Sequence, residues 1–249
     1  MKKALVAVFI ILAELSCFAY AEQPSDALQN LIDQGTNILN DPIYKDTGQK
    51  GVQRQKLSEI LNQIVDFKEF CRLALASNSV KFKPQILDEF ADLFSKFVTV
   101  FYLTMLQDKY NNEKVILIGQ NLISYSKAVV RVKVLWKNQE VPVEIKMIRR
   151  GDSWKAYDII ILGISAVRFY GAQFQAVLRK ETPAQIIDRL KEKIQKIEEQ
   201  HQTSFSKGKN CFPEKQLDRY ANTYNGNSQE LTREKKALGF NASIDFIFH

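Results

Sequence analysis

Near the middle of the chain, Trp154-Lys155-Ala156-Tyr157-Asp158 and three isoleucines run into Leu162-Gly163-Ile164-Ser165, and a single acid, Asp158, sits among apolar neighbours. Gly163-Ile164-Ser165 is half of a nucleophile elbow without its second glycine, and Gly151-Asp152-Ser153 resembles the serine block of some lipases. A serine nucleophile needs a base to activate it. The sequence holds only two histidines, His201 and the terminal His249, and neither has a partner at metal-ligand spacing. Asp158 has no second carboxylate close in sequence with which to divide acid and base roles. These residues therefore read as structural. Residues 151–153 make a tight turn and 163–165 start a helix. Asp158 accepts hydrogen bonds from backbone amides or a basic side chain, since a buried carboxylate needs partners. No phosphate-cradling glycine loop occurs. The expectation is a protein that is not an enzyme, with no catalytic residues, no metal and no cofactor.

The elements that position this stretch depend on the compartment. Met1-Lys2-Lys3 is a charged start, Ala4 to Phe18 is apolar apart from Glu14, and Ala19-Tyr20-Ala21 is a small-x-small cleavage site, so residues 1–21 read as a secretory signal peptide. The apolar run falls short of the roughly 20 residues that span a bilayer. Leu15-Ser16-Cys17 offers a lipoprotein site as the minor alternative, with a glutamate where that pattern wants an aliphatic residue. Removing Lys2, Lys3 and Glu14 takes 35 basic and 28 acidic residues to 33 and 27, a net charge of +6. In a secreted chain that balance points to anionic lipid surfaces or acidic protein patches, not to nucleic acid. Cys71 and Cys211 remain, and an oxidising compartment permits a disulfide between them without requiring it.

Residues 22–202 read as one domain. Leu28, Leu31, Ile32, Ile38 and Leu39 recur at helical spacing up to Asn40-Asp41-Pro42; a second helix covers about Val52 to Val65, and Asp66 caps a third through Ala76. Pro84 opens the longest helix, from Gln85 to about Tyr110, with Phe90, Phe94, Phe97, Phe101 and Met105 on one face. It is apolar round most of its circumference and so must be buried on most sides. The period then changes to two, giving strands at Val115 to Ile118, Tyr125 to Lys137, Glu140 to Ile148 and Trp154 to Ile161. Val130, Val132, Val134 and Trp136 alternate with Arg131, Lys133 and Lys137, and Val143, Ile145 and Met147 alternate with Glu144 and Lys146. Such alternation predicts an antiparallel sheet with one wet and one covered face. Helical spacing returns from Gly163 to about Arg179, and Thr182-Pro183 opens a last helix with Ile186, Ile187, Leu190, Ile194 and Ile197 in a stripe. The pattern stops after Gln202, so 203–249 reads as a loosely attached or disordered extension that can be removed without loss of fold.

Trp154-x-x-Tyr157-Asp158, then Gly163-Ile164-Ser165, then Tyr170 with Gln173-Phe174, resembles in order and spacing the W-x-x-Y-D, G-[VI]-S, Y-R-x-Q-F signature of the MlaC (toluene-tolerance) family. Asp66-Phe67, the helix opening at Pro84, Glu89-Phe90, Phe94 and the Tyr102 region are similar to that family's helical half, so the likeness covers about residues 25 to 200. Gly171 stands where the family usually carries arginine, and Leu75 to Val80 lacks its Gly and Trp.

The resemblance implies an α+β fold, with several helices packed on one face of a curved antiparallel sheet around an apolar lipid pocket. It also implies a periplasmic phospholipid carrier that shuttles lipid between outer and inner membranes. Its partners would be an inner-membrane ABC transporter complex with an MCE domain and an outer-membrane lipoprotein complex. The faces named above supply the expected lining: Phe90, Phe94, Phe97, Phe101 and Met105 from the long helix, and Val132, Val134, Val143, Ile145 and Met147 from the strands. Apolar walls discriminate poorly between greasy shapes. A hopanoid or hydrocarbon carrier is thus the nearest alternative, and a secreted lipid hydrolase using Ser153 or Ser165 the more remote one.

Overall fold

The computed structural model describes residues 22–136 and 139–207; residues 1–21, expected to be a signal peptide, and those from 208 on, including Cys211 and with it the Cys71–Cys211 disulfide that the sequence permits, lie outside them. Helix α1 (Pro24–Asn40) starts on a proline, whose missing N–H costs nothing in a first turn. Two short 3₁₀ turns, Pro42–Lys45 and Thr47–Gln49, lead into α2 (Lys50–Ile64). Asp66 then caps α3 (Phe67–Leu75) by accepting the Glu69 N–H at 2.9 Å.

The long apolar helix is not continuous. It runs as α4 (Pro84–Val98), a π-helical turn (Thr99–Leu103) and α5 (Thr104–Lys109). Val98, Thr99 and Val100 are three consecutive β-branched residues, which crowd the preceding turn. Thr104 returns its hydroxyl to the Val100 carbonyl at 2.7 Å, a bond that competes with the regular ladder.

Five antiparallel strands follow in sequence order: β1 (Lys114–Ser124), β2 (Lys127–Trp136), β3 (Gln139–Arg150), β4 (Ser153–Ile161) and β5 (Ile164–Ser165). Strand β1 is much longer than its alternation predicts. Register shifts at Ile118 and Ile123 insert extra residues, and each breaks the period of two that reveals a strand in sequence. The turn before β5 holds Leu162 at φ 53° and Gly163 at φ 79°. Helix α6 (Ala166–Val177) begins only after it, with Ser165 as its cap, and α7 (Pro183–Lys207) ends the described chain, running on past Gln202.

The core divides in two. One cluster lies among α3, α4, α6 and α7, centred on Phe94, whose ring stacks on Phe70 at 5.3 Å and meets Tyr170 and Phe174 edge-on at 4.9 and 5.7 Å. The other lies on the sheet, where Ala27 and Leu28 of α1 cover valines and isoleucines of β2 and β3. This is the expected α+β architecture of helices on a curved, unclosed antiparallel sheet.

Candidate functional site

Strand pairing aligns the covered face of the sheet in rows. Leu122, Ala128, Met147 and Ala156 form one, Gln120, Val130, Ile145 and Ile159 the next, then Leu117, Val132, Val143 and Ile161, and finally Val115, Val134 and Val141. Apart from Gln120 every side chain in these rows is apolar, because period-two alternation sends Arg131, Lys133, Glu144 and Lys146 to the opposite face.

Gln120 has a specific task. Its amide oxygen accepts the Ser25 N–H at 2.9 Å and its nitrogen donates to Gln23 Oε1 at 3.0 Å, while Trp154 Nε1 donates to the Glu22 carbonyl at 3.0 Å. These bonds fix the first turn of α1 across β1 and β4. The first two rows are dry at their centre, with Ala128, Val130, Met147 and Ala156 at most 1% exposed, while Leu122 at the β1 edge of the first row stands out of this cover. The face opens away from α1: Leu117 and Ile161 flank the third row at 37% and 49% exposed, and Val115, Val134, Val141 and Ile159 are only partly buried. The result is an apolar face roofed at one end by α1 and by Ile64 of α2.

The expected lining residues fall into both clusters. Val132, Val143, Ile145 and Met147 come together, buried, on the sheet, with Val134 half-buried at its open end. Phe90, Phe94 and Phe97 come together in the helical cluster, and Phe101 stacks on Phe97 at 5.8 Å at its border. The side chain of Met105 lies outside the described residues. Sequence reasoning did not include Ala27, Leu28, Ile32, Ile64, Leu117, Ile159 or Ile161. The alternation of β4 could have yielded Ile159 and Ile161; the roof residues carry no local signal, since helical spacing does not say which sheet a helix covers.

An open groove of about 740 Å³ lies elsewhere, among α2, α3, α4 and Lys155. Its walls mix Val65, Phe67 and Ala91 with polar side chains that are largely paired with one another: Lys68 meets Asp88 at 2.6 Å, Ser95 donates to Asn62 at 2.7 Å and Lys155 donates to the Asn62 carbonyl at 3.3 Å. Charged and hydrogen-bonding side chains interrupt its apolar surface, unlike the continuous apolar rows of the sheet.

The residues with reactive chemistry are engaged structurally. Ser165 Oγ donates to the Asp158 carboxylate, 2.9 and 2.8 Å from its two oxygens, and accepts the Arg168 N–H at 3.2 Å. Asp158 also accepts the Val167 N–H at 3.1 Å and faces Lys146 Nζ at 3.4 Å. The buried acid thus ties β4 to the start of α6. Ser153 Oγ donates to the Arg150 carbonyl within the turn. Cys71 is fully buried, and desolvation pushes its thiol well above the usual range. Glu69 titrates below the ordinary glutamate range, chiefly through its hydrogen bonds from Arg72 at 2.7 and 2.9 Å, with Arg150 adding to the effect. Among the described residues no three His, Cys, Asp or Glu side chains converge as a metal site, and no helix is long and apolar enough to cross a membrane.

No curated relative matches the sequence. Among solved structures, the fold is similar to that of a phospholipid-binding protein from Ralstonia solanacearum in complex with a phospholipid. The two share 20% identity and a TM-score of 0.60, over 71% of this chain and 99% of that one. The family model described as MlaC protein matches residues 29–192, well over half of the sequence and including α1 from its second turn, the aromatic helices, the sheet and the Asp158–Ser165 junction. With that match and that fold, the chain belongs to the MlaC family.

Proposed function

We propose that this protein is a periplasmic phospholipid carrier that moves lipid between the outer and inner membranes as the soluble member of an ABC transport system. An inner-membrane ABC complex with an MCE domain and an outer-membrane lipoprotein complex would be its partners. The observation that carries this reading is the covered face of the sheet, apolar across four strands, roofed at one end and open along Leu117, Val134 and Ile161. The Ralstonia solanacearum protein of the same fold was solved with a phospholipid bound, which supports a lipid as the occupant here.

The acyl chains lie along the open end of the face, at Val132, Val134 and Val143, with Ile145 and Met147 as its floor beneath α1, while Phe90, Phe94 and Phe97 serve as solid core in the helical half. The energetic demand is large. Two chains of about 15 methylenes each represent roughly 24 kcal/mol of transfer free energy at about 0.8 kcal/mol per CH₂, so only an extended dry surface can hold them out of water. Binding alone, without covalent chemistry, is what this arrangement does, since Ser153 and Ser165 spend their hydroxyls on Arg150 and Asp158.

Solvent extraction of the purified protein followed by mass spectrometry tests the proposal, and co-purified phospholipid is expected. Recovery of a hopanoid or hydrocarbon instead would replace the ligand, and an empty protein that takes no lipid from liposomes would end the carrier reading.

A further inference from the structure

The β1–β2 hairpin has a composition at odds with a water-facing sheet edge. Edge strands are normally blunted by charge, proline or short length. Here β1 is an 11-residue edge strand on which Ile116, Leu117, Ile118, Leu122 and Ile123 are all exposed, followed at the hairpin tip by Tyr125 at 82% exposure. Two of these, Ile118 at 53% and Ile123 at 63%, are the extra residues of the two bulges. A bulge re-aims its side chain and interrupts the row of free donors and acceptors, so this edge is a poor template for an added strand from a second copy.

Charge points to the occupant. From Lys114 to Trp136 the hairpin carries Lys114, Lys127, Arg131 and Lys133 and not one acidic residue. Its tip is tightly built: the Arg149 N–H is held by the Ser126 carbonyl at 2.9 Å, and the Arg149 guanidinium stands 4.9 Å from the Tyr125 ring centre. Arg131 and Lys133 are paired with Glu144 and Glu140 of β3 at 3.4 and 2.6 Å, which leaves Lys127 beside the tip and Lys114 at the far end of β1 as the hairpin cations outside those pairs. Exposed aliphatics, an amphipathic aromatic at the tip and an exposed lysine beside it match the interface of an anionic bilayer, where apolar side chains enter the acyl boundary and lysines meet lipid phosphates.

We propose that the β1–β2 hairpin is a membrane-contact element that seats the protein on an anionic bilayer through Leu122, Ile123 and Tyr125, with Lys127 as its charged anchor. This goes beyond the binding of a single phospholipid molecule. Membrane contact and bound lipid are read separately, so either can fail alone.

The test is co-sedimentation of the full chain with large unilamellar vesicles of phosphatidylethanolamine and phosphatidylglycerol, against vesicles of phosphatidylcholine alone. Wild type is compared with the double variant L122D/I123D, with Lys127→Glu, and with Val80→Asp, which alters an exposed aliphatic outside the hairpin. Any contribution from residues 1–21 cancels between variants. The expected result is partition of wild type and V80D onto anionic vesicles that falls about tenfold or more in L122D/I123D and falls with added salt. K127E, a single exposed charge reversal that leaves packing intact, should weaken it severalfold. Wild type remaining in the supernatant, or all four proteins partitioning equally, overturns the proposal. So does a concentration-dependent dimer lost in L122D/I123D while vesicle partition is unchanged, which would assign the hairpin to a second copy.

Discussion

Asp158 shows how little of a residue's role its type reveals. As a lone acid beside tyrosine and isoleucines it is a candidate base by type alone; the sequence context reads it as a tether to backbone amides or a basic side chain, and its partners are of that kind, with Ser165 added: two hydroxyl contacts from Ser165, the Val167 amide and Lys146. Asp158→Ala leaves the amide and the hydroxyl without an acceptor, and we expect a loss of about 1–3 kcal/mol in urea unfolding with bound lipid per folded molecule unchanged. Gly171 is a second such position. A Cβ there would stand 2.9 Å from the Ala74 carbonyl oxygen, so α3 and α6 approach as closely as they do because the side chain is missing. Gly171→Ala should therefore cost about 1–3 kcal/mol, and the arginine usual in the family more, measured by the same unfolding curves. Glu69 carries a pH signature. Its folded pKa lies below the unfolded value of about 4.3, so its stabilising effect is complete above that pH and disappears as pH falls through the lowered folded value. Thermal melts recorded from pH 6 downward should show a shallower acid decline in Glu69→Gln than in wild type.

At the scale of elements, the aromatic α4 and the aliphatic sheet share a hydrophobic character but occupy different clusters, and they should respond differently to added bulk. Val143 lies in the row that opens at Leu117 and Ile161, whereas Phe94 is enclosed by Phe70, Tyr170 and Phe174. We expect Val143→Trp to fold, with a circular dichroism spectrum like that of wild type, but to lose most of its co-purified lipid. Phe94→Ala should lose about 3–5 kcal/mol of stability while the surviving folded protein keeps its lipid. If Val143→Trp retained full lipid occupancy, the acyl chains would not lie on this face. Bulges and the π-helical turn account for where sequence patterns misjudged the elements. Ile118 and Ile123 each shift the alternation of β1 by one residue, so the strand reads as its first few residues only. Thr99–Leu103 keeps the apolar composition of a helix and so reads as uninterrupted.

For the whole molecule, polar ties join the two halves, among them Arg150 of β3 with Asp66 at 2.7 Å and the Asp66 N–H with the Ala156 carbonyl at 2.8 Å. A lipid seated as proposed on the sheet would add to those ties, since a ligand that binds only the folded state stabilises it by mass action, about 2.7 kcal/mol at a hundredfold excess over Kd. Delipidated protein should melt lower than the lipid-loaded form, and added phospholipid should restore the difference; equal melting temperatures would place the lipid outside the fold's cooperative unit. The alternation in β2 and β3 and the proline and aspartate helix starts were legible in the sequence, because period and capping are local properties of the chain. The signature around Trp154, Asp158, Ser165, Tyr170 and Phe174 was legible for the same reason, and the family match covers it. Tertiary structure alone decided that Phe90, Phe94 and Phe97 close on Phe174 and Tyr170, that α1 is the roof of the sheet, and that its apolar face stays open beyond Val132 and Val143. Hydrophobic attraction is non-directional and proportional to area, so a sequence states how much apolar surface must be covered, and only the packing of distant elements settles which surface covers which.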